Sequence, residues 1–341
     1  MRYSDSLYLA LSNKRLLNGS GVKLTPRDLL KLWEFYNLFV GSAFSRLIMR
    51  GESDKNLYRQ FNTDTKNPVA LAGCLFMTGE KARYCWNNNK FVDPDDTSPN
   101  NFKRICESLY YAILDGERGV SKRADRIRLY CLNNAEFCKA LENISEILIT
   151  YQSLSICERQ IANLHYLSIL HTINSLEYKR GSGFVSTTTS AQVAGEFAED
   201  CIIYGWVPKP PKVSIVGRTR TIDLLDTRNS KSLKQLGLPY PSTPVYREQN
   251  EVSIRCGLLP HFIIGFTAGK NFYVNPAIFQ AMDKMHDLST FRALSNYKRD
   301  LQLGGLEVNQ ENFEEFLRQT NYRRYFTYDG EEYKIHQAQT R

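Results

Sequence analysis

The chain is 341 residues long, which suits two domains, and 42% of its residues are hydrophobic while 23% are charged. This composition is typical of globular proteins and excludes a largely disordered chain. The formal net charge of +8 favours an acidic partner, most commonly nucleic acid, although a soluble basic protein without such a partner has the same composition.

The cysteines and apolar segments indicate the cellular environment. Eight cysteines are spread over the chain without a CxxC pair and without histidines at zinc-finger spacing, so we expect reduced thiols and no metal site. No run of about 18 uncharged apolar residues is present, and the first residues lack the basic-then-apolar pattern of a signal peptide. We therefore expect a cytoplasmic protein, of the producing cell or of a target cell, with no membrane partner.

The first 140 residues are predicted to be mainly helical. Thr25 and Pro26 form a helix start, and apolar residues spaced three and four apart continue to about residue 49. Segments 69–86 and 102–114 are also predicted to be helices, separated by a loop rich in Asn, Asp and Pro. The role of this region is unknown: target recognition, binding of a neutralising partner protein and covering of a site are all open.

From about residue 145 the pattern changes to short β-branched and apolar runs between helices. The predicted elements are, in order, a strand at 147–151, a helix at 158–177, a strand at 183–187, a short helix at 190–199, and strands at 201–207, 213–216, 252–256, 261–266 and 272–274. Short strands mixed with a few helices predict an α+β fold.

These elements divide the chain into three predicted parts. Residues 1–140 form the helical N-terminal region, 141–280 a catalytic domain, and 281–341 a helical and hairpin C-terminal extension. The hairpin is predicted around an Asp329-Gly330 turn. Just before it, the segment 322–326 interleaves basic and aromatic residues, which favours either contact with single-stranded nucleic acid or ordinary packing at a helix end.

Two segments carry the polar residues of greatest chemical interest. Phe184-Val185-Ser186-Thr187-Thr188 is predicted as a strand with a Ser/Thr triplet, and Gln249-Asn250-Glu251-Val252-Ser253 as a loop that delivers a carboxylate at the start of another strand. Together with the helix and strand between them, these segments resemble the mono-ADP-ribosyltransferases of the Arg/Ser-Thr-Ser/Glu class. The resemblance covers about 120 residues and implies an ADP-ribosyltransferase-like mixed β-sheet domain.

The resemblance implies a role for each of these polar residues. Cleavage of the nicotinamide–ribose bond of NAD passes through an oxocarbenium-like sugar, which a nearby carboxylate stabilises. Glu251 is implied to be that carboxylate, bonded to the ribose 2′-hydroxyl, with Ser186 as a hydroxyl that orients it. Thr187 and Thr188 belong to the same NAD-binding strand. Gln249, which alternates to the same side of an extended chain as Glu251, is implied to position the acceptor group.

The phosphate-binding arginine of the family lacks a clear match. In the family it lies on a first strand with an aromatic-Arg-Gly sequence, and alignment with a strand at 149–155 puts Gln152 in that position, followed by Ser153. A glutamine cannot supply the charged, two-pronged donor that an arginine offers a phosphate.

Three explanations of this mismatch stay open. Another arginine serves instead: either Arg159 in the following helix, or Arg126 or Arg128 if 127–130 is the true first strand. Alternatively, NAD is bound weakly but still turned over. The third explanation is that the domain has lost catalysis.

The sequence therefore predicts an NAD-dependent mono-ADP-ribosyltransferase, of the toxin, effector or phage-conflict type, with NAD as its co-substrate. A Gln-x-Glu loop, by resemblance, points away from arginine toward an amide side chain or a nucleic-acid base as acceptor. The basic charge leads us to favour RNA or DNA slightly over a protein acceptor. The alternatives are a catalytically inactive binding module and an NAD glycohydrolase that transfers nothing.

Overall fold

The structure is a computed structural model, and the chain forms two compact units. The first unit comprises 1–87, 185–221 and 256–341, and the second comprises 88–184 and 222–255. Each unit is built from separated stretches of the sequence, whereas the sequence predicted three consecutive parts. The structure describes residues 3–39, 45–60, 67–80, 96–119, 123–173, 184–198, 201–208, 221–223, 232–255, 258, 262–276, 278–279, 282, 324–328 and 333–337.

Helices and strands alternate irregularly along the chain, which agrees with the predicted mixture of α and β elements. The helices are α1 (Tyr3–Asn13), α2 (Pro26–Phe39), α3 (Asp54–Gln60), α4 (Pro68–Thr78), α5 (Pro99–Glu117), α6 (Ala124–Asn133), α7 (Ala135–Ala140), α8 (Ile144–Ser153), α9 (Ile156–Ile173) and α10 (Ala191–Phe197). The strands are β1 (Arg15–Asn18), β2 (Ser45–Glu52), β3 (Phe184–Thr188), β4 (Cys201–Pro208), β5 (Thr221–Asp223), β6 (Glu251–Arg255), β7 (Ile263–Ala268), β8 (Asn271–Val274), β9 (Arg324–Tyr328) and β10 (Tyr333–Gln337).

The first unit is organised around a mixed β-sheet whose strands lie in the order β1-β8-β7-β4-β2-β3. β1 is parallel to β8, and the other neighbouring pairs of this series are antiparallel. β2 lies between β4 and β3, with Ile48 opposite Gly205 and Met49 opposite Thr188. Both Ile48 and Met49 are fully buried, as expected for the middle of a covered sheet.

The predicted helix from Thr25 to about residue 49 is correct only in its first half. α2 begins at Pro26, and Thr25 and Asp28 bond each other's backbone N–H groups in a capping box. The helix ends at Phe39, and Ser45–Glu52 is strand β2. A short apolar run in the centre of a sheet shows no hydrophobic periodicity that would distinguish it from a buried helix. This explains why the segment was predicted to be helical.

The second unit consists mainly of helices α5 to α9 packed around one core. The Phe102 ring stacks on the Tyr151 ring with a centroid distance of 3.9 Å, and Tyr166 meets Phe102 edge-on. Strands β5 and β6 are hydrogen-bonded to each other. The core therefore fixes α8 and α9 through aromatic contacts.

Two strands predicted in the second unit are wrong. The strand at 147–151 lies in α8, and the alternative strand at 127–130 lies in α6. In α8 the buried Ile147 and Tyr151 stand four residues apart while Ile149 is 69% exposed, so the segment buries one helical face rather than alternate residues. The β-branched composition of this segment had suggested a strand, and packing on the aromatic core overrides that preference.

The other predicted elements fare better. The helices at 158–177 and 190–199 correspond to α9 and α10, and five of the predicted strands correspond to β3, β4, β6, β7 and β8. The predicted strand at 213–216 lies outside the described residues. β9 and β10 form the predicted antiparallel hairpin with Tyr328 opposite Tyr333, and the Asp329-Gly330 turn lies outside the described residues.

No helix in the described ranges is both long enough and apolar enough to cross a bilayer.

Candidate functional site

Glu251 is a buried carboxylate at the first position of β6, in the second unit. Its residue is 6% exposed, and a charge at such a position requires polar partners. Ser253 donates a hydrogen bond of 3.0 Å from Oγ to Oε1 of Glu251. The Nε2 atom of His171 lies 3.8 Å from the same oxygen. Within the described residues both of these contacts are made to Oε1 and neither to Oε2.

The sequence did not predict the two residues that contact Glu251, Ser253 and His171. Ser253 follows Glu251 by two positions on a strand, and this spacing of two was a signal that could have found it. His171 lies in α9, eighty positions earlier. No local pattern relates a helical residue to a strand so distant in sequence.

The loop before Glu251 differs from the extended chain that the sequence predicted. Arg247–Gln249 forms a 3₁₀ turn, and Asn250 adopts the left-handed conformation with φ 47° and ψ 45°. Asparagine is one of the few residues that adopts this conformation readily. Gln249 is half-buried in this turn, so it does not share a side of a strand with Glu251 by simple alternation.

Two arginines from the start of α6 and its N-cap hold this loop through Tyr246. The guanidinium groups of Arg123 and Arg126 lie 5.4 and 4.9 Å from the centre of the Tyr246 ring, which is cation–π distance. Arg126 also forms an ion pair with Glu248, and this hydrogen bond raises the pKa of Arg126. Burial raises the pKa of the Tyr246 phenol. We call Arg123, Arg126, Tyr246 and Glu248 the loop anchor.

Gln152 and Ser153 do not lie on a strand, which corrects their predicted place. They occupy the last turn of α8, and the Gln152 side chain is exposed. Arg159 donates hydrogen bonds to the carbonyl oxygens of Tyr151 and Gln152 at 3.2 and 2.6 Å, so it satisfies orphan carbonyls at the end of this helix. Neither Gln152 nor Arg159 thus occupies a first-strand position.

The first unit contains an Arg-Gly pair that the sequence analysis overlooked. Arg50 and Gly51 lie on β2, next to β3, the strand that carries the Ser/Thr triplet. Arg50 donates a hydrogen bond of 2.7 Å from Nη1 to the carbonyl oxygen of Ser186. The Met49-Arg50-Gly51 sequence was a usable signal, but it was hidden because the segment was predicted to be helical.

Two carboxylates hold the remaining sides of the Arg50 guanidinium. Nη2 lies 2.6 Å from Oε2 of Glu52, and Nε lies 3.2 Å from Oε2 of Glu80. Arg50 and Glu52 are largely buried and Glu80 is completely buried. A buried carboxylate without a cation is strongly destabilising, so Glu80 depends on Arg50 for its charge balance.

Gly51 is required by the helix that follows the triplet. A Cβ atom at Gly51 would lie 1.8 Å from the carbonyl oxygen of Ala194 in α10, a distance that the backbone cannot tolerate. Ser190 caps α10 through Val193, and the Ser190 backbone N–H is bound by the hydroxyl of Thr188 at 2.9 Å. β2, the triplet strand and α10 are therefore locked together around the Arg-Gly pair.

The residues of the triplet differ in exposure. Thr187 and Thr188 are buried, whereas Ser186 is half-buried. The backbone of Ser186 is held by Arg50 through its carbonyl oxygen, which leaves the role of its hydroxyl a prediction.

Comparison with known proteins assigns no family to the chain. No protein-family model, no curated protein sequence and no solved structure matches it. Among the described residues no group of three or more His, Cys, Asp and Glu side chains could hold a metal ion.

Proposed function

We propose that the protein is an NAD-dependent mono-ADP-ribosyltransferase, which releases nicotinamide and transfers ADP-ribose to a macromolecule. The observation that carries this proposal is Glu251, a buried carboxylate with one oxygen held by Ser253 and the other without a protein partner in the described residues. A carboxylate in such a setting is suited to stabilise positive charge on a bound sugar.

The reaction breaks one bond and forms one. The bond between C1′ of the ribose and the nicotinamide nitrogen breaks, and the leaving nicotinamide keeps the electron pair. Positive charge develops at C1′ and is stabilised by Glu251, which is also suited to accept a hydrogen bond from the ribose 2′-hydroxyl. The acceptor atom then attacks C1′ and loses its proton to solvent or a base.

Arg50 replaces Gln152 as our candidate for the first-strand arginine. Its place before a glycine, on a strand paired with the Ser/Thr strand, corresponds to the pattern that the resemblance implies, except that Met49 stands where the family has an aromatic residue. We assign Arg50 to NAD binding through the position of the Ser186 backbone, since Nη1 bonds that carbonyl directly.

The acceptor stays a choice between a nucleic-acid base and a protein amide, and we slightly favour nucleic acid. The net charge of +8 supports attraction of a polyanion. Gln249 lies in the turn Arg247–Gln249, whose backbone is held by the loop anchor. An amide that donates and accepts hydrogen bonds suits a base or an amide acceptor better than a guanidinium, which only donates.

The test uses NAD labelled separately in nicotinamide and in the adenylate phosphate, incubated with the protein and a cell lysate. We expect release of labelled nicotinamide and transfer of the phosphate label to polymer that nuclease digests and protease does not. Glu251→Gln should lower nicotinamide release by about 100-fold or more, since it removes the charge that faces the oxocarbenium ion.

Glu142→Gln is the matched control, because Glu142 is an exposed carboxylate of the same unit. Its rate should equal that of the parent protein. Label on protease-sensitive material would move the acceptor to protein, and nicotinamide release without labelled polymer would identify a glycohydrolase. No nicotinamide release from the parent protein would overturn the proposal and leave the binding module.

A further inference from the structure

We propose that His171 is a positioning residue that holds the Glu251 carboxylate in its productive orientation. This inference rests on the proposed function, because it concerns the carboxylate to which that function is assigned. It adds a residue outside the Arg, Ser-Thr-Ser and Glu motifs.

The first argument is geometric. The imidazole Nε2 of His171 and the hydroxyl of Ser253 approach the same oxygen, Oε1, at 3.8 and 3.0 Å. Ser253 on β6 bonds Oε1 and His171 on α9 packs beside it, so the carboxylate has little room to rotate. The 3.8 Å separation is longer than a hydrogen bond, so the imidazole acts through the polarity of its ring nitrogen and by filling the space beside Oε1.

The second argument is the burial of His171. Its side chain is 1% exposed, and its ring lies 5.7 Å from the Phe184 ring, which packs against it from the start of β3. Packing therefore restricts the orientation of the imidazole. A residue that positions another must itself be fixed in this way. An exposed histidine at the same distance would lose most of this effect to rotation and to water.

The third argument comes from the chemistry of the reaction. The oxocarbenium ion exists only briefly, so a carboxylate stabilises it best when it is already in place and needs no reorientation. A displacement of about 1 Å at such a group can cost about 100-fold in rate. Ser253 and His171 both contact Oε1, so in this proposal Oε2 is the oxygen that faces the sugar.

The test compares three variants by the rate of nicotinamide release. His171→Phe keeps a ring of similar size and removes the nitrogen, and His171→Gln restores a polar nitrogen on a side chain of similar length. The control is His165→Phe, because His165 lies in the same helix, is also buried, and has no hydrogen bond or ion pair within the described residues.

We expect His171→Phe to lower kcat by about 100-fold with a KM for NAD within about threefold of the parent value. His171→Gln should recover at least tenfold of that loss, and His165→Phe should leave kcat within twofold. Equal losses of kcat in the two Phe variants, or a kcat of His171→Phe within twofold of the parent, would overturn the inference.

A second measurement needs no catalysis. The imidazole ¹⁵N resonances of the intact protein are recorded with and without Glu251→Gln. We expect the His171 Nε2 resonance to move and the His165 resonances to stay in place. An unmoved His171 resonance contradicts the inference even when the parent releases no nicotinamide, so the two proposals fail by different observations.

Discussion

Arg50 and Ser186 are joined by a hydrogen bond of 2.7 Å from the guanidinium Nη1 to the backbone carbonyl. The bond connects two antiparallel strands through a charged side chain, in addition to the backbone pairing of Met49 with Thr188. Because it uses the carbonyl of Ser186, it does not consume the hydroxyl. A side chain thus fixes the backbone of the Ser/Thr strand in addition to the pairing of the two strands.

Arg50→Lys should raise the KM for NAD about tenfold or more. Lysine keeps the positive charge but cannot bond Ser186, Glu52 and Glu80 at once, and a lost hydrogen bond to a charged group costs about 1.5–3 kcal/mol. Steady-state kinetics of nicotinamide release would measure the change. Gln152→Ala is the control and should leave KM unchanged. The opposite result, a raised KM only in Gln152→Ala, would return the role to Gln152.

The sequence correctly predicted elements that are specified by neighbouring residues. Its predictions were wrong where burial in the folded chain determines the secondary structure. The cap at Thr25, the strand at Phe184 and the capped helix at Ala191 follow from neighbouring residues, and all three are confirmed. Arg50 was missed because Leu47, Ile48 and Met49 have no period of their own when a strand is buried on both faces.

In the candidate site, too, residues with local sequence signals could be predicted and residues that depend on long-range contacts could not. Glu251 was identified by its loop and strand start, and Ser253 could have been identified by its spacing of two. The conformation of the loop was wrong because a single left-handed residue, Asn250, interrupts the extended chain. His171 depends on a contact between α9 and β6, which only the three-dimensional packing creates.

Gly51→Ala should destabilise the first unit by about 1–3 kcal/mol or more, since the new methyl group overlaps the Ala194 carbonyl and must displace β2 or α10. Gly195→Ala in the same helix is the control, because a Cβ atom there meets nothing within 4 Å. That variant should be neutral or stabilising by up to about 1 kcal/mol, the difference in helix propensity. Urea denaturation measures both, and equal stabilities would contradict the close packing at Gly51.

Tyr246→Ala should lower the ratio of ADP-ribose transfer to NAD hydrolysis about tenfold. The ring contacts two guanidinium groups, and each cation–π contact contributes about 0.5–1 kcal/mol, so its loss releases the turn that carries Gln249. Glu251 keeps its own support from Ser253, and nicotinamide release should persist.

The matched control for the loop anchor is Tyr246→Phe, which keeps the ring and removes the hydroxyl. Both products are quantified from doubly labelled NAD in one reaction. If Tyr246→Phe lowers the transfer ratio as much as Tyr246→Ala does, the hydroxyl and not the ring contact with the arginines is responsible.

His165 gives the protein a defined sensitivity to acid. Burial lowers the pKa of His165 from 6.5 to about 4 in the folded chain. Well above pH 6.5 the side chain is neutral in both states and contributes no pH dependence. As the pH falls from 6.5 to 4 the unfolded chain binds a proton that the folded chain does not, so the free energy of unfolding decreases by about 3 kcal/mol in total.

His165→Phe removes this contribution and replaces the imidazole by an apolar ring at a buried position. We expect the free energy of unfolding of the variant, measured by urea denaturation between pH 7 and 4, to fall less steeply than that of the parent, with the difference growing to about 3 kcal/mol at pH 4. All other ionisable groups are present in both proteins, so their contributions cancel in the comparison. Parallel pH profiles would show that the buried imidazole accepts a proton as easily in the folded chain as in the unfolded one.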